Sequence, residues 1–70
     1  MEKYITILIN GEPFNCQCSM SLKQLLLYLN FDFNSIIIEY NHKILVYSQY
    51  ENIFFSKNDS IEIITIVGGG

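Results

Sequence analysis

Hydrophobic and polar residues alternate along much of this chain with the period of two that is typical of β-strands. Ile5, Ile7 and Ile9 fall on one side of the first such segment, and Ile36, Ile38 and Tyr40 fall on one side of a later one. The final segment is rich in β-branched residues, a composition that favours a buried strand. Five segments are therefore predicted as strands: residues 4–9, 13–16, 36–40, about 43–46, and 61–67.

One segment has a helical period instead. Its leucines recur at positions i, i+3, i+4 and i+7, which predicts a single apolar stripe, formed by Leu22, Leu25, Leu26 and Leu29. Ser21 and Gln24 have the spacing of a capping box at the start of this helix. Asn30 is the predicted stop, because asparagine tolerates the left-handed conformation that often ends helices. The helix should therefore be about nine or ten residues long.

The connections are marked by turn-forming residues. Asn10-Gly11 predicts a tight hairpin between the first two strands. Pro13 cannot donate to a β-ladder, which predicts that the second strand lies at a sheet edge or starts at this residue. Residues 47–55 have no clear period and are predicted to form a loop with one short helical turn, anchored by Ile53 and by Phe54 or Phe55. Residues 57–60 form a turn in which Asp59 is the turn former.

The resulting order is β-β-α-β-β-β. The most β-branched strands are the first and the last, so we expect them to lie side by side and parallel at the centre. The predicted fold class is α+β, a mixed four- to five-stranded sheet with one main helix packed across one face. This arrangement is the β-grasp, or ubiquitin-like, fold. It should span residues 1–67, with residues 68–70 as a flexible glycine tail.

Charge and composition argue against several functions. The 70 residues carry a net charge of −3, and the only cations besides the single histidine are four scattered lysines. Nucleic-acid binding requires clustered Lys or Arg, so no nucleic-acid partner is expected. No apolar run approaches the length needed to span a bilayer, and no signal peptide is apparent, so no membrane partner is expected.

No catalytic or metal-binding constellation is predicted. Cys16 is predicted to pack inward and Cys18 to lie near a loop, both as reduced thiols in a reducing compartment. These two cysteines and His42, a predicted surface turn residue, do not complete a zinc site. The carboxylates are interpreted as solubility charges, namely Glu2, Glu12, Asp32, Glu39, Glu51, Asp59 and Glu62. The chain is therefore not expected to be an enzyme.

A set of motifs is spread over the whole chain: the Asn10-Gly11 hairpin, Ser21-Leu22-x-x-Leu25-Leu26, Ile38-Glu39-x-Asn41, Asp59-Ser60-Ile61-Glu62-Ile63 and Val67-Gly68-Gly69-Gly70. Taken together, these motifs resemble the ThiS family, the sulfur carriers of thiamine biosynthesis. Asn58 departs from the family pattern, in which a glycine commonly precedes the aspartate. The cysteine pair is also not a family feature.

The resemblance implies a carrier whose active group is the carboxylate of Gly70, carried into partner active sites by Gly68 and Gly69. A ThiF-type enzyme would adenylate this carboxylate with ATP, and a sulfur donor such as a cysteine desulfurase would convert it to a thiocarboxylate. Thiazole synthase (ThiG) would then receive the sulfur. No cofactor would be bound by the chain itself. The expected location is the cytoplasm of a prokaryote or a plastid stroma.

A docking surface for these partners is predicted on the sheet face away from the helix. If Ile61 and Ile63 point to the core, then an apolar set should point outward: Leu8, Ile37, Ile64 and Ile66. The alternatives are that this face mediates dimerisation, or that the residues are singly exposed without a role.

Three other functions fit the same pattern. They are a sulfur carrier of molybdopterin synthesis, a ubiquitin-like protein modifier, and a β-grasp interaction module whose glycine tail is incidental. Deleting Gly69 and Gly70 separates the last of these from the carriers.

Overall fold

Within the described part of the chain, five strands and one α-helix form the framework. The computed structural model describes residues 3–66 of the chain. The elements, in chain order, are β1 (Tyr4–Ile9), β2 (Glu12–Gln17), α1 (Leu22–Tyr28), a first 3-10 helix (Phe33–Ser35), β3 (Ile36–Tyr40), β4 (Lys43–Leu45), a second 3-10 helix (Tyr47–Asn52) and β5 (Ser60–Thr65).

The strands form one mixed sheet in the order β2-β1-β5-β3-β4. Strands β1 and β5 are parallel neighbours near the centre, as predicted, and the other neighbouring pairs are antiparallel. Helix α1 packs against one face of the sheet through its leucine stripe. The predicted α+β β-grasp fold is confirmed, with five strands.

The turn and cap residues act as predicted. Asn10 and Gly11 both have positive φ, at 51° and 83°, which is what a tight hairpin turn of this type requires. The Ser21 hydroxyl accepts from the Gln24 N–H, and the Gln24 side chain accepts from the Ser21 N–H at 2.9 Å. Asn30 ends α1 with φ 63°. The helix has seven residues, fewer than predicted, because the chain turns out of it directly after Leu29.

The core lies between α1 and the sheet. Six large side chains in it are fully buried: Ile7, Leu22, Leu25, Leu26, Ile38 and Ile61. Leu22, Leu25 and Leu26 of the helical stripe are among them. Because a helix this short is not stable alone, we infer that the burial of these leucines stabilises it against the sheet.

Residues 47–55 differ most from the prediction. A six-residue 3-10 helix replaces the expected loop with one helical turn, and Tyr50 is its buried anchor. Phe55 is buried while Phe54 is 54% exposed, which resolves the alternative left open by the sequence in favour of Phe55. Ile53 is half-buried, and its carbonyl accepts a hydrogen bond from the Leu22 N–H at 2.8 Å. This segment is therefore hydrogen-bonded to the first residue of α1.

Candidate functional site

Strand β5 leads directly towards the glycine tail. Its last register pair joins Thr65 to Ile36 on β3, and the Ile66 N–H then donates to the Ser35 carbonyl at 2.7 Å. The chain is therefore hydrogen-bonded to β3, and then to the residue just before β3, as far as Ile66, the last residue that the structure describes. The predicted tail residues Gly68, Gly69 and Gly70 lie outside the described residues.

The other edge of β5 is held differently. Strand β1 pairs with β5 only at Leu8–Ser60 and Ile9–Ile61. Beyond that point the Asn10 side chain continues the pairing: its Oδ1 accepts from the Ile63 N–H at 2.7 Å, and its Nδ2 donates to the Ile63 carbonyl at 3.3 Å. The sequence indicated Asn10 only as a turn residue. Its second role depends on a partner 53 positions away, and no local pattern shows that.

Asp59 fixes the entry to β5, and its interpretation as a solubility charge is wrong. Only 9% of the residue is exposed. Its carboxylate accepts from the Tyr40 hydroxyl at 2.5 Å, the Asn41 amide at 3.2 Å and the Ser56 N–H at 2.8 Å. The Asp59 N–H also donates to the Ser56 carbonyl, so Asp59 does form the turn as predicted. It additionally joins that turn to the end of β3.

The same contacts set the ionisation of this group. Burial opposes the charged form of Asp59, but the hydrogen bonds from Ser56, Tyr40 and Asn41 outweigh it and lower the pKa of the carboxyl from its ordinary value. Burial, followed by the hydrogen bond to Asp59 and its charge, raises the pKa of Tyr40 to about 12. The pair is therefore a neutral phenol donating to an ionised carboxylate at neutral pH.

The predicted docking residues are all on the sheet face away from α1, and all are at least partly exposed. We call Leu8, Ile37, Ile64 and Ile66 the apolar sheet face. Ile37 and Ile64 are direct cross-strand partners, and Ile66 follows two residues later on the same side of β5. Leu8 instead pairs with Ser60, four residues before Ile64, which is about 13 Å along the strand. The structure thus brings three of the four together near the start of the tail and leaves Leu8 apart.

Two features of this face were not foreseen. Ile44, 63% exposed, lies beside Glu39 and extends the apolar surface onto β4. Glu39 and Glu62 are direct cross-strand partners on β3 and β5. We call these two residues the acidic pair. The alternation within β4 could have indicated Ile44, whereas the acidic pair depends on a strand register that the sequence does not reveal.

Other described side chains with potential chemistry, namely the cysteines and the histidine, do not form a common site. Cys16 is buried and Cys18 half-buried, and both are free thiols, as the sequence predicted. Burial, then the nearby Cys18 and Asp59, raises the pKa of the Cys16 thiol. Within residues 3–66, no group of three or more His, Cys, Asp or Glu side chains is placed to hold a metal ion. His42 is 93% exposed in its turn, as predicted.

No helix in the described part of the chain is long and apolar enough to cross a membrane.

Comparisons with known proteins agree with the geometry. An uncharacterized protein, ycf40, of Porphyra purpurea is 47% identical over 70 residues, covering 100% of this chain and 99% of that protein. A thiazole synthase of Paramagnetospirillum magneticum is 34% identical over 64 residues, which cover 91% of this chain but only 20% of that protein.

A solved structure and a family profile complete the comparison. The crystal structure of the thiamine biosynthesis protein ThiS from Geobacter metallireducens aligns with a TM-score of 0.78 at 20% identity, covering 94% of this chain and 100% of that one. At this identity the match establishes the shared fold. The sequence profile of the ThiS family matches residues 7–70, which is nearly the whole chain. The chain therefore belongs to the ThiS family.

Proposed function

We propose that this chain is a sulfur carrier of thiazole formation in thiamine biosynthesis and that its working group is the carboxylate of Gly70. The observation that carries the proposal is the course of β5, which is paired with β3 up to Thr65 and bonded through Ile66 to Ser35. In the sequence, Val67 and three glycines follow directly. The match to the ThiS family, which extends to residue 70, supports the same conclusion.

The chemistry requires help from partner enzymes. A free carboxylate is a poor electrophile, so a ThiF-type enzyme first transfers the adenylyl group of ATP to an oxygen of the Gly70 carboxylate and releases pyrophosphate. The terminal sulfur of a persulfide on a donor such as a cysteine desulfurase then attacks the acyl carbon and displaces AMP. A thiol cleaves the resulting acyl disulfide, which releases the thiocarboxylate and leaves a disulfide on the donor side. Thiazole synthase takes the sulfur, and the carboxylate is restored. The chain itself is a co-substrate and binds no cofactor in this scheme.

The glycines suit delivery through a narrow channel. Gly68 and Gly69 have no Cβ, so the backbone can pass where any other residue would clash. If fully extended, the five residues from Ile66 to Gly70 would span roughly 17 Å, which is enough to reach an active site while the folded part remains outside. The apolar sheet face is the surface that we propose for docking, because Ile37, Ile64 and Ile66 lie where the tail begins.

The thiamine pathway is favoured over molybdopterin synthesis by one observation. Two relatives of this chain are thiazole synthases, of which it matches about a fifth of the length. A polypeptide that combines a segment similar to this chain with a thiazole synthase supports a shared task.

We also propose the plastid stroma as the location, since the ycf40 relatives derive from plastid genomes. The two free thiols are compatible with its being a reducing compartment.

Adenylation can be tested by ATP–pyrophosphate exchange with the ThiF-type enzyme of the same organism. The full chain should support exchange. A chain that lacks Gly69 and Gly70, or one extended by an alanine after Gly70, should not, although both should fold normally by circular dichroism. Exchange with the shortened chain would favour an interaction module with an incidental tail, and no exchange with the full chain would contradict the proposal.

A further inference from the structure

The acidic pair lies in an unusual place for two like charges. Glu39 and Glu62 are direct cross-strand partners on β3 and β5, two inner strands of the sheet. Side chains in such pairs have Cβ atoms about 5 Å apart, and like charges directly opposite one another destabilise a sheet. The acidic pair therefore lowers the folding stability of the unbound carrier.

Nothing in the described part of the chain compensates this charge with a permanent cation. The nearest basic group is the His42 Nδ1, 4.0 Å from the Glu39 Oε1, on a side chain that is 93% exposed. Among residues 3–66, no lysine is within ion-pair distance of either glutamate. The net charge of −3 adds to the negative potential around the pair.

Apolar side chains border the acidic pair on the same face. Ile44 lies beside Glu39 on β4, and the cross-strand pair Ile37–Ile64 occupies the next outward-facing row. A partner that covers these isoleucines also removes the two carboxylates from water. Burying them unpaired would be costly, so the covering surface has to supply a counter-charge.

We infer that the protein docking on the apolar sheet face places a basic side chain, best an arginine, against Glu39 and Glu62 within a ring of apolar contacts. A guanidinium presents several donors in a planar fork and can bond two carboxylates at once, whereas a lysine is a point charge. This inference rests on the proposed function and specifies its docking partner, the activating enzyme.

The same charges argue against a second copy of this chain as the occupant. Self-association through this face would bring two acidic pairs together and increase the repulsion. Sedimentation velocity should accordingly show monomers. A wild-type dimer that Ile64→Lys converts to monomers would overturn the inference.

The direct test is the affinity of the activating enzyme for the full-length carrier, measured by calorimetry at low and at high NaCl. Wild-type binding should weaken as salt screens the contact. Glu39→Gln/Glu62→Gln should lower affinity at low salt roughly 10- to 100-fold, the range expected for losing hydrogen bonds to charged groups. The double variant should also show a smaller salt dependence. Glu51→Gln, an exposed charge outside this face, is the matched control and should bind like the wild type.

The melting temperature distinguishes loss of the docking contact from misfolding of the variant. The double variant should melt at the same temperature as the wild type or higher, because a like-charge repulsion has been removed. In adenylation assays it should raise KM for the carrier and leave kcat unchanged. Unchanged affinity and salt dependence of the double variant, with the wild type still adenylated, would overturn this inference alone. Absence of wild-type adenylation would instead refute the proposed function, and this inference with it.

Discussion

Asp59 shows how one residue can carry two structural roles. It forms the turn before β5 and, at the same time, holds the end of β3 through Tyr40 and Asn41. The turn role was predictable from the residue type and its neighbours. The burial was not, because it depends on the register between β3 and β5, which places a tyrosine hydroxyl from another strand against the carboxylate.

Replacing Asp59 with asparagine should destabilise the fold by about 1–3 kcal/mol, since the amide cannot accept all three hydrogen bonds. Urea denaturation measures the loss, with Glu51→Gln as a control at an exposed carboxylate. The lowered pKa of Asp59 contributes stability that is present above its unfolded-state pKa of 3.8 and lost as pH falls through the folded-state value. The difference between wild type and variant should therefore shrink in acid, and a constant difference would contradict this role.

Tyr40→Phe tests the same contact from its donor. The hydroxyl donates to a charged group, so its removal should cost about 1.5–3 kcal/mol at neutral pH. The folded-state pKa of Tyr40, about 12, lies above its ordinary value of 10.0, so this stabilisation is complete below 10.0 and lost as pH rises through the folded value. The stability gap between wild type and Tyr40→Phe should thus narrow between these values, as urea denaturation in alkaline buffers would show. A gap that widens there would refute the assignment.

At the scale of elements, most of the strands and the α-helix were predictable from the sequence. The Asn10-Gly11 hairpin, the capped helix and the alternation in β1, β3 and β5 are local signals, and all three describe the structure correctly. For the second 3-10 helix the sequence predicted only one short helical turn, because the packing of that helix depends on aromatic residues distant in the sequence. The Phe33 ring lies 5.2 Å from Tyr47 and 6.1 Å from Tyr50, centroid to centroid, across a separation that periodicity cannot detect.

Asn10→Gly tests how the hairpin supports β5. Glycine keeps the positive φ of the turn but removes both side-chain hydrogen bonds to Ile63, which should cost about 1–2 kcal/mol. The Ile63 amide should also exchange with solvent faster. Asn30→Gly makes the same change at another position of positive φ, and its side chain is exposed, so this control should be nearly neutral. Equal effects of the two variants would contradict the bridging role of Asn10.

At the scale of the whole molecule, the structure divides into a helix side that builds the core and an opposite sheet face that remains open. The sequence predicted which residues point outward on that face. It could not predict that Leu8 lies apart from Ile37, Ile64 and Ile66, because the offset between β1 and β5 is set by the sheet rather than by either strand.

Ile64→Lys should weaken binding of the activating enzyme roughly tenfold or more, since it places a charge in the middle of the proposed interface. The fold should persist, because the side chain is exposed on the free carrier. Leu27→Lys makes the same substitution at an exposed leucine on α1 and should leave binding unchanged. Equal affinities for Ile64→Lys and wild type would remove this face from the proposal.

The central claim is that Gly70 carries sulfur, and the intact mass of the chain tests it most directly. The chain should be incubated with an extract of its own cells, ATP and cysteine, and then analysed by mass spectrometry. The carrier function predicts replacement of one carboxyl oxygen by sulfur at the C-terminus, dependent on ATP and absent from a chain that lacks Gly69 and Gly70. An unchanged mass under every condition would contradict it.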